Sequence, residues 1–304
     1  MKFLNRYWTH LATLVLGLTI LAGSLVHATG SSLACPDWPL CFGKFAPAME
    51  GPVLYEHSHR LIAGTAGVLV WISGFLHWFV DTSLRRKVLV MGMMVLIVVQ
   101  AVLGGITVLY QLPSWVSTLH FLLAHLTFGG FLTLSWAHET DGDALPPGSA
   151  FTRWQSALVI LAPLLLFFQM GLGAWLRHIG TKGAPMTYQC KLFPFCDPTW
   201  IEYMTSYYLS VYWLHRYTAV AVTGVILLLV WSFREYRDNY AALYQLPLAA
   251  SGVILLQIVV GDLSVRTYLA VSTTTLHSGL ALIVFCLLLW HTLILYGRSF
   301  LESP

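Results

Sequence analysis

Charge is what this sequence has little of: only 10% of its 304 residues are Asp, Glu, Lys or Arg, against 57% hydrophobic. Soluble domains carry roughly 25% charged residues, so a water-facing surface could not be built from this composition. Between Val88 and His138 no Asp, Glu, Lys or Arg occurs at all, and the mean hydropathy is +0.72. The net charge of +3 provides no basic field for nucleic acid. Five cysteines are too few for a secreted disulfide scaffold, and the apolar content excludes a disordered chain. An integral membrane protein remains.

Eight segments are long and apolar enough to span a bilayer: Tyr7–Val26, His59–Val80, Val88–Tyr110, Trp115–Trp136, Trp154–Leu176, Tyr207–Trp231, Ala241–Ser264 and Tyr268–Tyr296. They lack the strict alternation of barrel strands and read as helices, which predicts an all-α membrane fold. Trp and Tyr at their ends (Tyr7, Trp8, Trp115, Trp136, Trp154, Tyr207, Tyr208) suit the membrane interface. With the N-terminus in the cytoplasm, Lys2, Arg6, Arg85, Arg86, Lys87, Arg153, Arg234, Arg237 and Arg298 fall inside. Lys44, Arg177, Lys182, Lys191 and Arg266 fall outside, so the excess of inner cations favours both termini in the cytoplasm. The first segment reads as an uncleaved helix rather than a signal peptide, because no clear A-x-A site follows it.

The chain contains an internal repeat. Cys35-Pro-Asp-Trp-Pro-Leu-Cys41 matches Cys190-Lys-Leu-Phe-Pro-Phe-Cys196, and His59-Arg60 matches His215-Arg216. Gln100-x-x-x-Gly104 matches Gln257-x-x-x-Gly261, and Ser117-Thr-Leu-His120 matches Thr274-Thr-Leu-His277, with offsets of 155 to 157 throughout. This predicts two tandem, pseudo-symmetric four-helix bundles: residues 1–138, a cytoplasmic linker over 139–153, and residues 154–304.

In each half one histidine falls at the start of the second helix and another in the outer part of the fourth. The pairs are His59 with His120 and His215 with His277, separated by 61 and 62 residues, so both members return to the same depth. Two imidazoles facing each other inside a four-helix bundle can hold a haem iron at its two axial positions. His10, His57, His77, His125 and His291 have no repeat partner and read as packing residues. Arg60 and Arg216 follow the second-helix histidines, either as partners of haem propionates or as interfacial anchors. No intramembrane set of Asp, Glu or Cys completes a zinc or di-iron site, so no free metal ion is expected, and Asp262 has no assigned role.

Four of the five cysteines lie in two loops expected outside, each pair spaced C-x5-C, where local disulfides can form. They are either staples over the bundle mouths or a redox-active pair; Cys286, within the last helix, reads as a small packing residue. Glu56 stands three residues before His59, whereas Tyr212 holds that place before His215. A carboxylate at a poorly hydrated site is expensive and favours a role, which points to a reactive site in the first half and a resident cofactor in the second.

The combined motifs, C-P-D-W-P-L-C in the first loop, E-x-x-H-R opening helix 2, L-G-G-x-T-V-L in helix 3 and T-L-H in helix 4, resemble the haem A synthase family over nearly the whole chain. The resemblance implies oxidation of the C8 methyl of haem O to a formyl group through a hydroxymethyl intermediate, in haem A biosynthesis for terminal oxidases. It implies His215 and His277 as axial ligands of a resident haem b, and His59 and His120 as the pair receiving the substrate haem, with Glu56 as the catalytic residue beside them. Cys35–Cys41 and Cys190–Cys196 resemble the family's loop disulfides. Val26-His27-Ala28 departs from the resemblance, which leads one to expect a more polar or basic residue there.

The expected partners are haem O, membrane lipid, an electron donor, the haem O synthase and an extracytoplasmic thiol protein, with no nucleic acid. The expected location is a bacterial plasma membrane, since no Arg- and Ser-rich transit segment opens the chain. Two other readings use the same residues: a non-catalytic di-haem b electron carrier, and a membrane thiol–disulfide oxidoreductase.

Overall fold

The computed structural model describes residues 1–139, 151–180 and 207–302. Among these residues it contains eight helices long and apolar enough to cross a membrane, and no strand. They are α1 (Lys2–Ala28), α2 (Gly51–Val80), α3 (Leu84–Leu109), α4 (Ser114–Glu139), α5 (Arg153–Gly180), α6 (Tyr207–Ser232), α7 (Ala241–Arg266) and α8 (Val271–Glu302). All eight expected spans are helical, and the largest departure is at α2. That helix starts eight residues before His59, with Pro52 in its first turn, where the missing N–H costs nothing. His59 and Arg60 therefore stand inside a helix already formed, rather than at its start.

The chain forms two compact units, Met1–Gly148 with Thr292–Pro304, and Ser149–His291. In the first, α1 packs on α2 and α4, and α3 packs on α2 and α4, which closes a four-helix ring. In the second, α6 packs against α5 and α7. Large apolar side chains such as Leu14, Val68, Phe75, Val95 and Leu164 face away from the helix contacts, while Asn5, Thr9, Ser73 and His77 are fully or almost fully buried. This inversion suits a bilayer, in which apolar surface needs no cover and every polar group must find a partner within the protein.

The first unit meets that demand at the end opposite the Cys35–Cys41 loop. Thr9 Oγ1 reaches the backbone carbonyl of Asn5, Ser73 Oγ at 3.0 Å and His77 Nε2 at 2.9 Å. His77 Nδ1 meets Asp81 Oδ2 at 2.5 Å, and Thr13 bonds both Ser135 Oγ and the carbonyl of Phe131. Arg6 and His10 close the end on Glu139. The C-terminal turns of α8 join this unit: the Ser83 hydroxyl bonds the Leu301 carbonyl, and Arg85 bonds those of Ser299 and Phe300.

Two turns at the opposite end share one geometry. Gln111 and Leu112 both have positive φ, with Leu112 N–H on the Thr107 carbonyl; Tyr268 and Leu269 repeat this, with Leu269 N–H on the Ser264 carbonyl. Consecutive left-handed residues other than glycine are disfavoured, so the surrounding packing must enforce them. These turns place His120 and His277 each six residues into its helix, and His59 and His215 each stand eight residues into theirs.

Close packing separates two glycines of the first unit by the stiffness of their neighbours. A Cβ at Gly297 would lie 2.3 Å from Cζ3 of the buried Trp136, whereas one at Gly74 would lie 2.3 Å from Sδ of Met94. An indole cannot yield in place, but a thioether can turn aside. Gly297→Ala is expected to destabilise the protein by about 1–3 kcal/mol, and Gly74→Ala to do so clearly less. Thermal unfolding of the two variants in detergent checks the order.

Candidate functional site

Each of the four paired histidines lies against a glycine of the preceding helix. A Cβ on Gly23 of α1 would stand 3.1 Å from Cε1 of His59, and one on Gly104 of α3 would stand 3.5 Å from Cε1 of His120. In the second unit a Cβ on Gly173 of α5 would stand 2.9 Å from Cε1 of His215, and one on Gly261 of α7 would stand 2.9 Å from Cε1 of His277. At Gly23, Gly173 and Gly261 a side chain would crowd the ring, whereas at Gly104 a Cβ would make an ordinary contact. Four residues before each glycine stand Thr19, Gln100, Gln169 and Gln257. The amide of Gln100 donates to the His120 carbonyl at 3.0 Å, and that of Gln169 to the His215 carbonyl at 2.7 Å. His277 donates from Nδ1 to the Gln257 carbonyl at 3.1 Å. His215 and His277 are close enough to interact electrostatically. Sequence reasoning missed Thr19, Gly23, Gln169 and Gly173. Gln169-x-x-x-Gly173 repeats the pattern of α3 and α7 and was findable.

Glu56 is 5% exposed and is held by Arg60, whose Nε donates to Oε1 at 3.1 Å. The same guanidinium donates to the carbonyls of Asp37 (2.8 Å), Leu40 (2.7 Å) and Cys35 (3.3 Å). Arg60 thus ties the acid of α2 to the whole disulfide loop, and these four acceptors, rather than bulk water, occupy its donors. In the second unit Arg216 donates to the Tyr212 hydroxyl at 2.5 Å and lies over its ring, with Cζ 4.6 Å from the centroid. The arginine and its partner four residues earlier recur, but a phenol replaces the carboxyl. Asp262 pairs with Arg266 of its own helix.

Cys35 and Cys41 form a disulfide and both are fully buried. A ring nitrogen of His57 lies within 4.8 Å of both sulfurs. The sulfurs are bonded to each other, so they offer no thiolate to a cation. The loop carries Trp38 onto α3: a Cβ on Gly105 would lie 2.8 Å from Cδ2 of its indole. The two adjacent glycines of the L-G-G motif therefore do different work, Gly104 receiving His120 and Gly105 receiving Trp38. Cys190 and Cys196 lie outside the described residues. His125 donates within its own helix to the Phe121 carbonyl, and His291 packs edge-on against Phe233.

The donor set suits haem iron. His59 and His215 each have Nδ1 buried with no hydrogen-bond partner, and each of the four rings stands against a glycine. Paired imidazoles of this kind suit the two axial positions of a haem iron.

Residues 49–289 match the family model described as cytochrome oxidase assembly protein, COX15-CtaA. Among curated proteins, the chain is 29% identical over 311 residues to the heme A synthase of Bacillus pumilus, covering 95% of this chain and 96% of that one. It is 28% identical over 312 residues to the heme A synthase of Lysinibacillus sphaericus, covering 98% of each. It is also 29% identical over 289 residues to that of Symbiobacterium thermophilum, covering 88% of each.

The loop has a pH signature. The Asp37 carboxylate accepts from the N–H groups of Gly43 and Phe42, both at 2.7 Å. The Gly43 bond foremost, then that of Phe42 and the nearby charge of Arg60, holds its pKa below the ordinary 3.8. A depressed carboxylate stabilises the folded loop above its ordinary pKa and loses that contribution as pH falls through the lowered value. The Cys35–Cys41 bond should therefore resist a water-soluble phosphine from neutral pH down to about pH 4 and open faster below it. Asp37→Ala should react quickly over the whole range, measured as thiol released with time.

Proposed function

Because the chain belongs to the haem A synthase family of cytochrome oxidase assembly proteins, we propose that it oxidises the C8 methyl of haem O to a formyl group. On this reading the first unit takes the substrate between His59 and His120, and the second holds a resident haem b between His215 and His277. The two halves are duplicated bundles with both termini in the cytoplasm. The cysteine-bearing loops face outward from a bacterial plasma membrane. The haem O synthase supplies the substrate, and an external electron donor and an extracytoplasmic thiol protein serve as partners.

The observation that carries the reading is the difference at one matched place. Glu56 with Arg60 stands in the first unit and Tyr212 with Arg216 in the second. Haem ligation alone needs no acid, and a merely duplicated electron carrier has no use for one in a single half. Methyl-to-formyl oxidation removes hydrogens from carbon, and a carboxylate three residues from His59 is placed to take protons released there. Arg60 aims that carboxyl, and its three bonds to loop carbonyls fix the guanidinium in turn. Trp38, seated on Gly105, covers the same end of the bundle against water. A resident haem b supplies one-electron redox capacity, and His215 and His277, each pressed on a glycine, would hold it. The propionate role expected of Arg60 competes with the four acceptors it already serves. In Arg216 the guanidinium is likewise engaged, by Tyr212.

Purified protein supplied with haem O and a reductant, followed by pigment extraction and mass analysis, tests the reading. Hydroxylated or formylated haem supports it; protohaem with no turnover points to a di-haem carrier, and absence of any haem to a thiol–disulfide enzyme. Glu56→Ala should lower conversion by about 100-fold or more while resident haem is retained. His215→Ala should lose the resident haem. Normal conversion by Glu56→Ala would overturn the division of labour between the units.

A further inference from the structure

We infer that Cys35, Cys41 and His57 become a binding site for a thiophilic divalent cation, Zn²⁺, once the bond between the two cysteines is reduced. The site joins the loop between α1 and α2 to the second turn of α2. It includes none of the four paired histidines and does not depend on the haem reading above.

His57 is a buried imidazole with an unmet need. It is 5% exposed, and its Nδ1 has almost no accessible surface and no hydrogen-bond partner. A buried nitrogen without a partner is costly and rare, so one in a folded protein calls for a reason. Beside the ring lies the disulfide. One ring nitrogen and both sulfurs are within 4.8 Å of one another, and Cys35 and Cys41 are 0% exposed. The duplicated fold has no need of a histidine there, because Trp213 stands at the matched place of the second unit.

Two thiolates and an imidazole are the donor set of zinc, with bonds of about 2.3 Å to sulfur and about 2.0 Å to nitrogen. Donors already this close need only side-chain rotation to meet on one ion. Hard cations take oxygen ligands instead, and the nearby carboxylates are engaged. Glu56 is held by Arg60, and Asp37 by the N–H groups of Phe42 and Gly43. Charge selects a divalent ion. Two thiolates cancel Zn²⁺ and Glu56 cancels Arg60, so the filled site adds no unbalanced charge to a buried place. The protein supplies three ligands and leaves the fourth position to water. Pro36 and Phe42, each next in sequence to one of the cysteines, are exposed, so the route to solvent is short.

Reduction by a dithiol of a partner protein breaks the Cys35–Cys41 bond. Two electrons and two protons pass to the cysteines, and the partner's thiols become a disulfide. As Zn²⁺ binds, each cysteine thiol gives its proton to water. Oxidised, the loop is closed on itself. Reduced and loaded, it is closed through the cation and tied to α2 by His57 as well.

The test uses the full-length protein in detergent carrying Cys190→Ser and Cys196→Ser, which leaves Cys35, Cys41 and Cys286 as its cysteines. One sample is reduced by long exposure to a water-soluble phosphine, freed of it and dialysed against Zn²⁺ without oxygen; a second stays oxidised. Elemental analysis should find one additional zinc per chain in the reduced sample. Zinc X-ray absorption should show two sulfurs and one nitrogen, with oxygen completing the shell. His57→Ala should weaken uptake at least about tenfold. His57→Cys should keep the zinc and exchange the nitrogen for a third sulfur, which separates loss of a ligand from loss of folding. Equal uptake by oxidised and reduced protein, or no zinc on the reduced protein, would overturn the inference. So would uptake unchanged in His57→Ala, or zinc lost from His57→Cys as completely as from His57→Ala.

Discussion

The close approach of an imidazole to the backbone of a neighbouring helix recurs at four glycines, three of which leave no room for a side chain, and the rest of this structure is arranged around these places. Gly23, Gly104, Gly173 and Gly261 face His59, His120, His215 and His277, each from the helix before. In a bilayer the interfaces between helices are held by close approach and by internal hydrogen bonds, because lipid gives no hydrophobic drive to bring them together. A glycine opposite a histidine meets both needs. It lets the backbones approach, and it leaves main-chain carbonyls within reach of a ring nitrogen, as Gln257 is of His277. Helix lengths and the two left-handed turns then bring each ring to its glycine. Six residues separate the start of α4 from His120 and the start of α8 from His277.

A second layer is built on Arg60. One partly buried guanidinium serves a carboxylate and three loop carbonyls, so the Cys35–Cys41 loop, Glu56 and the histidine-bearing turn of α2 form a single cross-linked body. An ion pair inside a membrane protein is expensive to desolvate, and its further hydrogen bonds offset that cost. In the second unit the cheaper Tyr212–Arg216 pair fills the same place. Among the described residues of the second unit, the carboxylate nearest that pair, Asp262, is on α7 and bonded to Arg266 of its own helix, so no acid takes the place of Glu56 beside the second-helix arginine.

The helices were legible because hydropathy is a bulk property that averages over many residues, and the histidines were legible because they occur twice in register. What the sequence hid has physical reasons too. The first turns of α2, from Gly51 to Ser58, hold Glu56, His57 and two small residues, so their hydropathy reads as a loop although Pro52 opens a helix. The Thr19 and Gly23 pair aligns with Gln169 and Gly173 at an offset of 150, not 155 to 157, because the loop after α1 is shorter than the stretch after α5. A search at one offset misses it. The partners of Arg60 could not be read at all. They are backbone carbonyls, and carbonyls carry no sequence signal.

The ends of the units opposite the histidines are fastened in two different ways. In the first unit that end is fastened by polar bonds among Thr9, Ser73, His77 and Asp81 and between Thr13 and Ser135. At the corresponding places of the second unit stand Val159, Leu229, Phe233, Arg237 and Pro163, and the end is closed by Phe151, Phe233, Tyr236 and His291 packing on one another and by Gln155, whose amide donates to the Ser232 carbonyl at 2.8 Å and to Glu235 at 3.1 Å. Hydrogen bonds between helices are directional and hold register, whereas aromatic contacts tolerate small slides. In the first unit hydroxyls and an imidazole carry such bonds through the interior, so the register of α1 on α2 and on α4 is fixed at several depths. In the second unit one glutamine side chain makes the directional link, from the first turn of α5 to the last carbonyl of α6, and aromatic packing fills the rest.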